Sequence, residues 1–122
     1  MDALILIAHG SRRVSSNAEV NRLAEQLRAR AGARYCHVTY AFLELAEPPL
    51  AQAAEACVEA GAGRVVILPY FLAAGRHVVS DIPEQLAPIQ TRYPQVTFEV
   101  MPHLGAAEGV AELLLGMAEP KA

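Results

Sequence analysis

The chain contains 122 residues, of which 53% are hydrophobic, and it carries a formal net charge of −3. This length suits one domain, residues 1–122, with a single hydrophobic core. The acidic balance argues against a nucleic-acid-binding surface, which is normally basic, and the opening apolar run is too short to span a bilayer. We therefore expect a cytoplasmic protein that binds neither nucleic acid nor membrane.

The first half of the chain predicts two strands, each followed by a helix. Residues 3–8 are apolar throughout, which is typical of a strand covered on both faces. Ser16-x-x-Glu19 resembles a capping box and predicts the start of a helix that Gly32 ends. Residues 35–43 form the second predicted strand, and Pro48-Pro49 begins the second helix.

The second half repeats this alternation. Residues 65–68 form the third predicted strand, and a longer loop over residues 69–80 follows it. Asp81-x-x-Glu84, with Pro83 in the first turn, predicts the start of a third helix. Residues 96–101 form the fourth predicted strand. The last predicted helix covers residues 106–117, and its inward face is expected to consist of Val110, Leu113, Leu114 and Met117.

Strands separated by helices indicate βαβ units with right-handed crossovers and a mainly parallel sheet. We predict an α/β, flavodoxin-like three-layer sandwich whose four strands lie in the order 2-1-3-4. In this order the first and third strands are neighbours, and the loops that follow them flank the point where ligands bind in such sheets.

Two histidines lie on those two loops. His9 directly follows the first strand, and His77 lies in the loop after the third strand. Taken singly, His9 is compatible with a simple strand-to-helix turn and His77 with a loop histidine that caps a carbonyl. Together they favour metal or proton chemistry at one crevice. Glu44 and Glu47 follow the second strand. Each is compatible with a solvated surface residue, but a carboxylate at this position could also join the two imidazoles in binding a divalent cation.

The remaining histidines and the cysteines are expected to be structural. His37 lies within the second predicted strand and His103 stands beside a proline. Cys36 and Cys57 are too far apart to form a CxxC unit, and each lies in an apolar stretch. We expect both cysteines to be reduced core residues.

Three blocks of the chain carry a resemblance to a known family. They are Leu6 to Arg12, Phe42 to Pro48, and Pro69 to Val78 followed by Asp81-Ile82-Pro83. In this order they resemble the short form of the class II tetrapyrrole chelatases, the sirohydrochlorin cobaltochelatase and nickelochelatase group. The resemblance implies a chelatase-like domain and a lyase that inserts Co²⁺, Ni²⁺ or Fe²⁺ into sirohydrochlorin, in cobalamin, siroheme or related tetrapyrrole biosynthesis. It implies no prosthetic group, because the metal is a substrate.

The resemblance also implies roles for individual residues. His9 and His77 would be the pair that contacts the metal and accepts protons, and Glu44 would assist metal delivery. Arg12 lies beside the histidines, where it could pair with the substrate's carboxylates. The residues implied to line the tetrapyrrole pocket are Glu47, Leu72, Ala73, Ala74, Gly75, Arg76 and His77.

Two alternative functions share part of this residue pattern, and the resemblance also implies a state of assembly. A non-enzymatic metal or tetrapyrrole carrier would need the same ligands and the same cleft. A phosphoryl-transfer enzyme of the histidine phosphatase type is disfavoured, because Ala8 stands where such enzymes carry an arginine. Longer members of the family contain two such domains, so we expect a C₂ homodimer to supply the second wall around a wide, flat substrate.

Overall fold

The computed structural model describes residues 1–75 and 80–119. Its strands are β1 (Asp2–Ala8), β2 (His37–Phe42), β3 (Arg64–Pro69) and β4 (Thr97–Val100). Its α-helices are α1 (Val14–Ala31), α2 (Leu50–Glu59), α3 (Ile82–Arg92) and α4 (Val110–Ala118). Two short 3₁₀ turns, Gly32–Arg34 and Leu104–Ala106, are also present. Within this part of the chain, no helix is long and apolar enough to cross a membrane.

The four strands form one parallel sheet in the order β2-β1-β3-β4, which confirms the predicted topology. Ala8 is paired with Phe42 on one side of β1, and Ile7 is paired with Pro69 on the other. The central strands therefore end almost level with one another. As a result, the loops that follow β1, β2 and β3 leave the same edge of the sheet.

The two faces of the sheet bury alternate side chains of the same strands. Ile5 and Ile67 point towards α2 and α3 and are fully buried there, whereas Leu6 packs with Val20 of α1 on the opposite face. Each fully buried aliphatic side chain of this kind contributes about 1.5–3 kcal/mol to stability. Both cysteines are free thiols, and Cys57 belongs to the α2 side of this core, as predicted. Cys36 is not a core residue, because it is only half-buried and packs against this core from outside.

The predicted capping box at Ser16 is wrong, because α1 begins two residues earlier, at Val14. The preceding turn is held by Asn17, whose side chain accepts a hydrogen bond from the Ser11 amide at 3.0 Å and donates one to the Ser11 carbonyl at 2.7 Å. The Ser11 hydroxyl in turn accepts a hydrogen bond from the Arg13 amide at 3.0 Å. The end of α1 agrees with the prediction, since Gly32 follows it with a φ of 59°.

The predicted inward face of the last helix is wrong for three of its four residues, since only Val110 is half-buried. The α-helix α4 begins only at Val110, four residues after the predicted start at residue 106, which is instead the last residue of the 3₁₀ turn Leu104–Ala106. Leu113, Leu114 and Met117 are 60%, 58% and 75% exposed. Within the described residues, α4 packs mainly against the 3₁₀ turn. The sequence periodicity therefore marks an apolar face on α4, but this face is not covered by the domain's own sheet.

Candidate functional site

The loops after β1 and β2 remain joined beyond the ends of their strands. The Leu43 amide donates a hydrogen bond to the Ala8 carbonyl at 2.9 Å, and the Glu44 amide donates one to the His9 carbonyl at 3.0 Å. These two bonds continue the parallel pairing past the sheet. They place the side chains of His9 and Glu44 side by side at the predicted ligand-binding edge.

His9 and Glu44 bring two potential metal-ligand atoms close together. Nε2 of His9 lies 3.3 Å from Oε1 of Glu44, and the two side chains are 39% and 56% exposed. The Nε2 atom itself is shielded from solvent, although the rest of the imidazole is accessible. The ring is thus held with its Nε2 nitrogen towards the carboxylate, and part of its remaining surface is accessible to solvent.

The separation of these two atoms suits a shared metal ion. Two donors that each lie about 2.1 Å from one ion are about 3.0 Å apart at a right angle and about 3.4 Å apart at the tetrahedral angle. The observed 3.3 Å lies within this range. Imidazole and carboxylate together suit a divalent transition metal. Among the described residues no group of three His, Cys, Asp or Glu side chains could hold a metal ion. The described part of the chain would therefore supply two ligands, His9 and Glu44, and the ion would need further ligands from elsewhere.

Gly10 makes this close approach possible. Its φ is +98°, a conformation that side chains with a Cβ rarely adopt, and a Cβ built there would lie 1.8 Å from the Glu44 carbonyl oxygen. No other residue type fits between the two loops without separating them. Gly10 is therefore needed both for the turn after β1 and for the contact between His9 and Glu44.

Glu47 lies in a different place from Glu44. The chain turns sharply at Leu45, which has a φ of 65°, and the Phe42 amide then donates a hydrogen bond to the Pro48 carbonyl at 2.9 Å. Glu47 consequently lines a cavity of about 170 Å³ between α1 and β2, together with residues such as Asn21 and Tyr40. The two glutamates that the sequence groups together thus face different surroundings.

A second cavity lies at the ligand-binding edge, after β3. It has a volume of about 240 Å³ and is lined by Tyr70, Phe71, Leu72 and Leu104. Of the residues expected to line a pocket, Leu72 is in this wall. Ala73, Ala74 and Gly75 follow it as an exposed loop segment. Sequence reasoning missed Leu104, although its position just beyond the fourth strand could have indicated it, because ligands bind beyond the carboxyl ends of such strands.

The other predicted site residues divide into two groups. Arg12 is exposed in the turn that precedes α1, three residues after His9. Arg76 and His77 lie outside the described residues, so their predicted roles stay predictions. The structure therefore brings together His9 and Glu44, and it places Arg12 and Leu72 on loops that leave the same edge of the sheet.

Comparison with known proteins identifies the family. Residues 3–119 match the CbiX family model, which is nearly the whole chain. The chain belongs to the CbiX family. This agrees with the resemblance carried by the three sequence blocks.

Individual CbiX relatives are sirohydrochlorin chelatases for different metals. The chain is 34% identical to the sirohydrochlorin ferrochelatase of Priestia megaterium over 115 residues, which cover 94% of this chain and 42% of the relative. It is 37% identical to the sirohydrochlorin cobaltochelatase of Methanocaldococcus jannaschii over 93 residues, which cover 76% and 64%.

A solved chelatase structure shares the fold. It is the sirohydrochlorin chelatase SirB from Bacillus subtilis subspecies spizizenii in complex with cobalt, with a TM-score of 0.83 and 30% identity. The match covers 96% of this chain and 49% of that protein. The chain thus spans about half the length of this chelatase and of the ferrochelatase relative.

Proposed function

We propose that this CbiX-family chain inserts a divalent metal ion into sirohydrochlorin, as a chelatase of the lyase class. The observation that carries the proposal is the pair His9–Glu44, with 3.3 Å between nitrogen and oxygen at the ligand-binding edge of the sheet. The names of the relatives support sirohydrochlorin as the substrate. Because those relatives use iron or cobalt, Fe²⁺ and Co²⁺ are the first metals to test, and Ni²⁺ is a third.

The reaction requires bases as well as metal ligands. When a divalent ion enters the macrocycle, two pyrrole N–H protons leave and the ion loses its bound water. A neutral imidazole can accept a proton or bind a metal near neutral pH. In the proposed mechanism His9 and His77 contact the metal and accept these protons, while Glu44 holds the ion beside His9 during delivery. Metal binding needs deprotonated ligands, so the reaction should slow in acid.

The remaining site residues would orient the substrate. Sirohydrochlorin carries several carboxylates, and the guanidinium groups of Arg12 and Arg76 are suited to pair with them. The apolar wall that includes Leu72 would lie against the flat macrocycle. Binding through the rim and the face of the substrate would leave its nitrogen atoms directed towards His9 and Glu44.

The deciding experiment is anaerobic incubation of the purified protein with sirohydrochlorin and Co²⁺, Fe²⁺ or Ni²⁺ in turn. The visible spectrum should change through many turnovers per protein molecule with at least one metal. A change that stops at one equivalent, in the presence of excess substrate, would instead identify a metal or tetrapyrrole carrier. The rate without protein is the control, because these metals also enter tetrapyrroles slowly in solution.

We further propose that two copies of the chain form the active unit, through a surface that includes α4. The apolar side chains of this helix are largely exposed, and helices with such a face normally pack against another element. A second copy is favoured as the occupant, because two chains of this length match the length of the cobalt-bound chelatase, of which one chain covers 49%. A C₂ pair buries the same helix twice through one self-complementary patch.

A further inference from the structure

We propose that Gly105 is a positioning residue for the tetrapyrrole. By holding the loop after β4 against the loop after β3, it seats Leu104 as the second wall of the apolar cavity. This inference rests on the proposed chelatase function, since it names the part of the site that would receive one edge of the macrocycle. It concerns a glycine and a leucine that belong to none of the three sequence blocks that carry the family resemblance.

The two loops approach each other through backbone atoms. The Gly105 amide donates a hydrogen bond to the Phe71 carbonyl at 3.1 Å. A Cβ built on Gly105 would lie 1.8 Å from the Leu72 carbonyl oxygen and 2.6 Å from its carbonyl carbon. Because these neighbours are backbone atoms, no side-chain rotation can relieve the overlap. Any residue other than glycine at position 105 must push the two loops apart.

This contact shapes the cavity. Leu104 comes from one loop, and Tyr70, Phe71 and Leu72 come from the other, so the walls lie on both sides of the Gly105–Phe71 hydrogen bond. Both loops are anchored to the sheet below them. The Tyr70 amide donates to the Ile7 carbonyl at 2.8 Å, and the Met101 amide donates to the Ile67 carbonyl at 2.9 Å.

The size and chemistry of the cavity indicate what it can hold. Its volume of about 240 Å³ is below the roughly 300–1,000 Å³ of a complete small-molecule site. Three of its lining residues, Tyr70, Leu72 and Leu104, are still partly exposed, at 40%, 78% and 36%. The cavity is therefore a partial, apolar seat for one edge of a flat ligand, and the rest of that ligand would extend along the ligand-binding edge of the sheet.

The test compares two wall variants with a matched glycine control. Gly105→Ala separates the loops, and Leu104→Ala removes one wall and leaves the backbone unchanged. Gly109→Ala is the control, because a Cβ there meets no atom within 4 Å. For each variant we would measure the Kd for metal-free sirohydrochlorin by absorbance titration, the separate KM values for sirohydrochlorin and Co²⁺, kcat, and the melting temperature.

We expect both wall variants to raise the Kd and the KM for sirohydrochlorin by about tenfold or more. Their KM for Co²⁺ should stay unchanged. Gly109→Ala should behave like the wild type in every measurement. If Gly105→Ala does not fold, Leu104→Ala decides the outcome, since its side chain lies at the surface. Wild-type affinity for sirohydrochlorin in Leu104→Ala would overturn the inference and leave the chelatase function intact. A wild-type protein that neither binds nor metallates sirohydrochlorin would overturn both.

Discussion

At the residue scale, substitutions of His9 and Glu44 can separate the two roles proposed for this pair, proton acceptance and metal binding. In the proposed mechanism His9 is both a base and a metal ligand, so His9→Ala should abolish most insertion activity, as should His77→Ala. Glu44→Gln keeps the size of the side chain but loses its charge, so it should raise the KM for metal more than it lowers kcat. Steady-state rates at varied metal concentration measure both effects.

The control for the histidine variants is His37→Ala. His37 pairs with Ala3 at the opposite end of β1, far from the ligand-binding edge. Its removal should leave kcat and both KM values close to the wild type. Near wild-type turnover in His9→Ala, with an intact fold by circular dichroism, would remove His9 from the proposed mechanism.

Two glycines allow the effect of backbone strain to be separated from the effect of a close approach. Gly10 and Gly61 have almost the same φ, +98° and +97°, but only at Gly10 would a Cβ overlap another loop. Alanine at either position should lower the free energy of unfolding by about 1–3 kcal/mol through strain. Gly10→Ala should lower the free energy of unfolding more than Gly61→Ala does, because it also displaces the Glu44 carbonyl.

Urea unfolding and metal-insertion rates together measure this difference. Gly61→Ala should reduce stability while turnover of the folded protein stays unchanged. Gly10→Ala should reduce both, since it moves Glu44 away from His9. Equal losses of stability, with equal turnover, would show that the approach of the two loops does not depend on Gly10.

At the element scale, α2 carries a buried thiol whose ionisation is coupled to folding. Burial raises the pKa of the Cys57 thiol from 9.0 to about 12, and the nearby Cys36 adds to the increase. As pH rises, the unfolded chain loses this proton first. The stabilisation from Cys57 is therefore complete below about pH 9 and is lost progressively between the unfolded and folded pKa values, by at most about 1.4 kcal/mol per pH unit.

Urea unfolding between pH 7 and pH 10.5 tests this coupling. The wild-type free energy of unfolding should fall above about pH 9, and Cys57→Ala should fall less steeply from a lower starting value. Cys36→Ala is the matched control, because Cys36 is only half-buried, and it should keep most of the wild-type slope. Parallel curves for the wild type and Cys57→Ala would contradict the coupling.

At the scale of the whole molecule, the exposed face of α4 predicts the state of assembly. Leu114→Gln places a polar group within the apolar stripe, and it does so twice in a C₂ pair, so it should weaken the dimer more than tenfold. Glu112→Gln is the control, since Glu112 lies on the opposite side of the same helix. Sedimentation equilibrium across a dilution series measures the dimer dissociation constant of both variants. A fully active wild-type monomer would refute the proposal that two copies form the active unit.

If the chain forms the proposed dimer, mixing two inactive variants tests whether each site is built from one chain or from both. We expect each protomer to contribute its own His9 and His77 to one site. Mixing the inactive His9→Ala and His77→Ala chains should then restore little activity. Clear complementation would instead mean that one site takes its two histidines from different chains.

Local sequence pattern was enough to predict the four strands and their order, and it placed His9 and Glu44 just beyond strand ends. The apolar runs of β1 and β3 alternate with helical patterns, and right-handed crossovers leave few arrangements for such units. His9 therefore had to lie at the carboxyl edge of the sheet, beside the loop after β3. Local pattern was sufficient in these cases, because periodicity and chain direction are properties of neighbouring residues.

Which loops approach one another and which apolar faces are covered could be seen only in the folded chain. The 3.3 Å contact of Glu44 with His9, the separate direction of Glu47 and the seat of Leu104 depend on backbone atoms distant in sequence, which no local pattern records. The exposed stripe on α4 has the same cause. A helical period shows that a face is apolar, but whether the chain's own sheet covers that face depends on where the preceding turn directs the helix.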